Sequence, residues 1–401
     1  MKAALAAAWL LTLAAAFALG RLGAGAPEPG EPAGGDLRAA LYEADPLARS
    51  LHLATFLDRL GPERLPEVLE RMREPDFPME EDEVRLLMLA WARFDPAGAF
   101  ETARQWPGAG RPMLEDAAIW AWGFVDGAGA LRALDATGDP ELIARLRPTL
   151  VSGWLKSPDR ELSSGFIAQV EDPRIRRRLA FRLTGEIARN GIDEVMRWAE
   201  SVPDDLPNNF KAGAFYYAAG AVARKDPRRA AEWFLAHRAQ PYSSGGLINI
   251  ARKWAHYHDA PALFEWLLAL PTTGERQNER IDAVSAGFRT WYKRAPDEAT
   301  AWLAAAPQDP VWDAAVAELV RTLSFTKPDE AVEWAQRIQD ETQRRRSTQL
   351  AGRRWAGSDM EAARAWLAKS DVSEDLRQSI LRNPKTPSRR PRVAPPEPST
   401  L

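Results

Sequence analysis

The chain has no cysteine among its 401 residues. That removes disulfides, a thiolate nucleophile and a lipid-modified cysteine together, and an exported protein of this size can do without disulfides. Only four histidines are present, which thins the supply of metal ligands and imidazole bases. Neither charge sign dominates, because 53 Lys and Arg stand against 56 Asp and Glu for a net charge of −3. A global polyanion-binding signal is therefore missing, and no nucleic-acid partner is expected. The sequence also contains no Gly-x-Ser-x-Gly, no His-Glu-x-x-His and no phosphate-binding glycine loop. Carboxylate pairs occur at helix starts, but no pair is singled out for acid–base work. No catalytic residue, cofactor site or metal site is assigned.

What is abundant is tryptophan, with 16 residues, and proline, with 31, and both recur at matching places. The stretch Trp291-Tyr-Lys-Arg-Ala-Pro-Asp-Glu-Ala-Thr-Ala-Trp302-Leu-Ala-Ala-Ala-Pro307 shows the pattern. Ile281, Val284, Phe288 and Trp291 fall three or four apart on one helical face. Pro296 suits the first position of a second helix, where no backbone N–H is needed, and Asp297 and Glu298 complement its dipole. Ala299, Trp302, Leu303 and Ala306 make the next stripe, and Pro307 ends it. The alanine admits a neighbouring backbone, and the indole fills the space beside it.

Variants of this grammar place first-helix anchors at residues 57, 91, 122, 154, 187, 222, 254, 291, 323 and 355, a period of about 33 residues, the length of one helical hairpin. The expectation is an all-α fold, an α-solenoid of about ten hairpins over residues 36–382. Trp198, Trp233, Trp254, Trp266, Trp291, Trp302, Trp334, Trp355 and Trp366 are expected to be its packing residues. Aspartate or proline, then alanine, then tryptophan three later resembles the second helix of tetratricopeptide and Sel1-like repeats, most closely at Asp226-Pro-Arg-Arg-Ala230-Ala-Glu-Trp233. The likeness covers about half of each repeat. The glycine-plus-tyrosine signature of the first helix is missing, and a tryptophan often stands in its place. The resemblance implies protein–protein binding on a concave face and brings no catalytic residues.

Residues 1–26 read as an export signal or a membrane anchor, with Lys2 before an apolar run from Ala3 to Leu19. Both outcomes stay open: Ala16-Phe-Ala18 and Ala24-Gly-Ala26 offer cleavage motifs, and an uncleaved segment would tether the chain to a membrane. Residues 27–35 form a Pro/Gly linker. Asp36 to Glu74 is expected to give the first hairpin, and Asp371 to Arg382 a capping helix with Leu376 and Ile380 inward. Residues 383–401 read as a disordered tail rich in proline and arginine.

Four groups are weighed as sites. His256-Tyr-His258-Asp259 is the densest polar cluster, but residues two apart on a helix diverge, so a helix end and cap is favoured over a metal site. Arg174, Arg176, Arg177 and Arg178, and Arg344, Arg345, Arg346, Arg353 and Arg354, would meet phosphates or an acidic partner. The plainer alternative makes them solvated faces of first helices. Lys385, Arg389, Arg390 and Arg392 among Pro387, Pro391, Pro395 and Pro396 would make a docking tail, or simply a solvated one. Trp120 and Trp312 fall off the repeat register and are the expected exposed aromatics, with Arg389 and Arg390 the other ligand-contact candidates. The expected function is a non-catalytic protein-binding scaffold exported to, or anchored in, the bacterial envelope. A glycan-binding or glycan-active helical protein is the alternative. The partner and the oligomeric state are left open.

Overall fold

The computed structural model describes residues 37–74, 80–270, 277–307 and 309–382. The leader, the linker before Asp36 and the tail after Arg382, with Arg389 and Arg390, lie outside the described residues. Every regular element among the described residues is helical. The chain divides into two compact units, residues 1–153 and 154–401.

In the first unit the helices are α1 Leu37–Leu41, α2 Pro46–Asp58, α3 Leu65–Met72, α4 Glu81–Ala92, α5 Pro96–Arg104, α6 Arg111–Ala136 and α7 Pro140–Trp154, whose last residue belongs to the second unit. A breaking residue at Asp126 divides α6. The expected first hairpin contains three helices, because α1 precedes the pair α2 and α3 and packs on α2. Its core joins Leu37, Leu41, Leu53, Phe56 and Leu57 to Val68 and Leu87. At the other end α6 and α7 touch backbone to backbone through glycines. A Cβ on Gly153 would sit 2.1 Å from the Trp120 carbonyl oxygen, and one on Gly123 2.3 Å from that of Leu150. Alanine at either place must push the helices apart.

Arg49 ties α2 to α4. Its Nε and Nη2 donate to the two oxygens of Glu83 at 2.6 and 2.7 Å, and Glu83 also accepts from the Glu80 N–H at 2.9 Å. Burial raises the Glu83 carboxyl, but the Arg49 and Glu80 hydrogen bonds outweigh it and hold the group below the usual carboxylate range. A depressed folded value means stability that is present above the ordinary carboxylate pKa and lost as pH falls through the folded one. The stability gap between the protein and Glu83→Gln, read from urea unfolding at pH 7 and pH 3, is therefore expected to shrink at the acid end. A gap unchanged with pH would show that Arg49 gains nothing from the charge.

In the second unit the helices alternate between a first and a second position. They are α8 Ser163–Gln169, α9 Pro173–Ile187, α10 Ile192–Ser201, α11 Phe210–Lys225, α12 Pro227–His237, α13 Gly246–Tyr257, α14 Ala260–Ala269, α15 Gln277–Arg294, α16 Pro296–Ala305, α17 Asp313–Leu323, α18 Pro328–Ala335, α19 Glu341–Ser358, α20 Met360–Lys369 and α21 Glu374–Arg382. The first helices α9, α11, α13, α15, α17 and α19 pack in a continuous row that α21 ends, with Leu376 and Ile380 buried. From α10 to α18 each second helix lies against its own first helix and the next one.

One residue makes most of the sharp turns. Asp95, Asp126, Asp226, Ala295, Lys327 and Asp359 each stand four residues after an anchor, and all share φ between −142° and −148° and ψ between 69° and 97°. At five of them the N–H closes the first helix on the anchor carbonyl, and the carbonyl opens the second helix to an alanine four residues on, as in Asp226 N–H to Val222 O at 2.8 Å and Ala230 N–H to Asp226 O at 3.1 Å. The alanines after all six turns, Ala99, Ala130, Ala230, Ala299, Ala331 and Ala363, are fully buried. Where the turn residue is aspartate, its carboxylate also accepts the N–H three residues on, at 2.8 to 3.0 Å. Gly191 turns α9 into α10 with φ +124°, a conformation that suits glycine. Asp193, two residues beyond Gly191, pairs with Arg229 across to α12 at 2.6 Å.

Ala295 and Lys327 leave that cap unmade. Asp226→Ala is expected to cost about 1 kcal/mol, and Ala295→Asp to gain about 0.5–1 kcal/mol, both seen as shifts in the urea midpoint. A destabilising Ala295→Asp would show that Asp297 and Glu298 already saturate that helix start.

Candidate functional site

The expected packing tryptophans lie between and beside the helices. Trp198, Trp233, Trp254 and Trp291 are buried, and Trp266, Trp302, Trp334, Trp355 and Trp366 are half-buried. Within hairpins the anchor and second-helix rings meet at 5.6 Å in Trp254–Trp266 and Trp291–Trp302, and at 5.7 Å in Trp355–Trp366. Trp198 donates its N–H to Ser164 at 3.1 Å and Trp233 to Glu200 at 2.7 Å, which links neighbouring hairpins.

Trp312, expected at the surface because it falls off the register, is only 5 % exposed. It enters from the loop before α17 and stands edge-on to Trp302 at 4.9 Å and to Phe264 at 5.9 Å, so it completes an aromatic cluster with Trp291. Trp120 is half-buried, stacked on Phe124 at 5.7 Å with the Arg85 guanidinium 5.7 Å from its ring. Beside it the Asp116 carboxyl is raised by burial, an effect that Arg145 opposes and Glu115 reinforces. Glu115, Arg145 and Asp116 form an ion-pair group on α6 and α7.

At the histidine cluster, His258 Nε2 lies 3.1 Å from the Arg224 carbonyl, the His256 carbonyl accepts from Arg294 Nη1 at 2.9 Å, and Asp259 precedes α14 at its N-cap. The His258 ring thus faces neighbouring backbone, while the His256 ring stands edge-on to Tyr257 at 4.4 Å. Among the described residues no three His, Cys, Asp or Glu side chains are grouped to hold a metal ion. No helix among them is long and apolar enough to cross a membrane.

The arginine clusters separate into two kinds. Arg176 reaches back to the carbonyls of Val170 and Glu171, and Arg344 to those of Ile338 and Gln339, each four residues after an N-capping aspartate, Asp172 or Asp340. These two hold the entry into a first helix. Arg345 reaches Ser373 at 3.5 Å, and Arg354 lies over the Phe325 ring. Arg174, Arg177 and Arg178 are exposed along α9.

Beside them lies a strip that the sequence pattern did not single out. Phe181 on α9 is 61 % exposed and stands edge-on to Tyr217 of α11 at 5.9 Å. Tyr217 meets Tyr216 at 5.3 Å, and the Tyr216 hydroxyl accepts from Arg252 of α13 at 3.2 Å. An open groove of about 390 Å³ runs between the ends of α9 and α11, lined by Phe181, Arg182, Glu186, Arg189, Arg224 and Lys225 among others. Burial lowers the Lys253 ammonium, and Arg252 and Arg224 lower it further, so three cations crowd one another here. Burial raises the Tyr217 phenol, and Arg177 partly offsets this.

The strip belongs to a wider separation of charge. The first helices α9, α11, α13, α15, α17 and α19 carry 20 Lys and Arg against 6 Asp and Glu. Their partners α10, α12, α14, α16, α18 and α20 carry 5 against 11. Within the second unit charge is thus sorted by helix position, although the total over the whole chain is almost neutral. The signal was present in the sequence as acid-poor alternate helices, and it cancels in any whole-chain sum.

Compared with known protein families, curated proteins and solved structures, the chain matches none. The likeness to tetratricopeptide and Sel1-like repeats therefore rests at the level of an all-helical, repeat-compatible architecture.

Proposed function

We infer that the chain is an α-solenoid of about ten helical hairpins with a period of about 33 residues, acting as a non-catalytic scaffold that binds a protein partner. The repeated one-residue turn and the row of first helices support the solenoid. The single observation that carries the function is the sorting of cations onto that row, together with the exposed Phe181 ring that stands against the half-buried Tyr217. A solvated helix needs no such asymmetry between alternate positions. The apolar leader supports placement in the bacterial envelope, either exported or tethered by its N-terminus.

The test is site-specific photo-crosslinking in the full chain, from Tyr217 on the first-helix row and from Arg364 on a second helix. One or a few protein adducts from Tyr217 and none from Arg364 are expected. Adducts to cell-wall glycan in place of protein would replace this reading with the glycan-binding one.

A further inference from the structure

The sorted charge and the groove between α9 and α11 identify the chemistry of the ligand, on the reading that the first-helix row is the binding face. We propose that this face, from Arg177 through Phe181, Tyr217 and Arg224 to Arg252 and Lys253, binds an acidic, extended polypeptide segment with apolar side chains between its carboxylates.

Three observations converge on that class. The first is the charge: α11 and α13 carry five Lys and Arg and no Asp or Glu at all. The second is local crowding, since burial and then the Arg252 and Arg224 charges lower the Lys253 ammonium, and no carboxylate enters into the balance there. Bringing an anion there relieves repulsion already present in the free protein. The third is the apolar component. Phe181 is largely exposed in the lining of the groove and Tyr217 packs edge-on to it, so the groove offers ring faces as well as charge.

Spacing favours a peptide. Neighbouring packed helices lie about 9 Å apart, and an extended chain of the polyproline II type turns once every three residues and advances about 3.1 Å per residue. An acid at every third residue would therefore meet one first helix after another, with two side chains between for the rings. The cations in the last turn of α11 also offset the carbonyl end of that helix, which accounts for Arg224 and Lys225 individually. It does not account for Arg177, Arg252 or the exposed Phe181.

The probe is a fluorescein-labelled twelve-residue peptide, four repeats of Asp-Ala-Leu, titrated into the full-length protein at low and moderate salt and read by anisotropy. The comparison peptide replaces each Asp by Asn. The variant Arg177→Glu with Arg224→Glu alters two exposed positions on the face. The control, Arg364→Glu with Lys369→Glu, makes the same charge change on α20, and circular dichroism checks that both are folded.

Binding of the Asp peptide is expected to weaken about tenfold or more in the first variant and to change less than about twofold in the control, with the Asn peptide bound much more weakly. Equal loss in both variants, or equal binding of the two peptides, would overturn the proposal. So would tighter binding of a twelve-nucleotide single-stranded DNA or of phosphatidylglycerol vesicles in the same salt, because the face would then be a general anion surface. If crosslinking from Tyr217 captures a protein while the Asp peptide fails, the scaffold stands and the acidic class falls. If no protein is captured either, both fall.

Discussion

Replacing Asp313 by alanine is expected to remove about 3–5 kcal/mol from the second unit, one of the two largest losses expected of any single substitution considered. The side chain is only 5 % exposed. Its two oxygens accept the backbone N–H groups of Gln339 at 2.8 Å and Asp340 at 2.7 Å, and its own carbonyl accepts from Gln343 at 3.2 Å. One carboxylate at the start of α17 therefore fixes the start of α19, a whole hairpin away in sequence. Charge-assisted bonds of this kind are worth about 1.5–3 kcal/mol each, and truncation leaves two N–H groups facing a cavity.

Asp313→Asn keeps one acceptor but turns an amide N–H₂ toward a backbone N–H, so it is expected to recover less than half of the loss. The observable is the first transition in thermal or urea unfolding, since repeat arrays lose two-state behaviour. A drop of about 10 °C is the expected scale for Asp313→Ala. A loss under about 1 kcal/mol would mean that water replaces the carboxylate and that the two starts are held independently.

The second large effect is expected at Trp291. It is 3 % exposed, 6.0 Å from Phe264 and 5.6 Å from Trp302 by ring centroids, and its ring sits at the anchor of the α15–α16 hairpin. Trp291→Ala empties the middle of the cluster that Trp312 closes, at an expected cost of about 3–5 kcal/mol. Trp291→Phe is the informative partner. The indole N–H of Trp291 is buried without a hydrogen bond among the described residues, so phenylalanine loses ring area but also removes an unsatisfied donor. Its expected cost is about 1 kcal/mol, well below that of alanine. Equal losses for Phe and Ala would show that the indole N–H has a partner, such as an internal water, and that polarity holds this site more than packing does.

Much of the fold was legible because its signals are local. The distance of four residues from anchor to turn and eight from anchor to buried alanine is covalent arithmetic, and Asp226-Pro227 and Ala295-Pro296 announce it through cap and dipole chemistry. The misses have physical causes too. Asp193 is of the same type as the turn aspartates, but the turn there is made by Gly191, four residues after the anchor at 187, and Asp193 falls two residues later in the first turn of α10. Trp312 lies outside the periodic stripe, and periodicity cannot foresee a loop that folds back to fill a gap between Phe264 and Trp302.

The candidate face was half visible. The α9 arginines were readable as a cluster, whereas Tyr217, Arg252 and Lys253 join them only when the helices stack. Arg176 and Arg344, equal members of their clusters by sequence, are withdrawn from it by the carbonyls they hold.

The one-residue turn also governs how such a chain can change length. A residue inserted there would rotate the following helix by about 100° and turn its buried alanine toward water, so the hairpin itself tolerates no slack. Between hairpins the constraint lifts, and the uneven steps from anchor to anchor accumulate in those loops. Because Ala295 and Lys327 share one backbone conformation, excising residues 295–326 would join Arg294 to Lys327 through the same bend that each makes now. The turns are thus seams at which whole units can be lost or duplicated by recombination without a new joint being invented, and the number of units becomes a heritable variable separate from the fold.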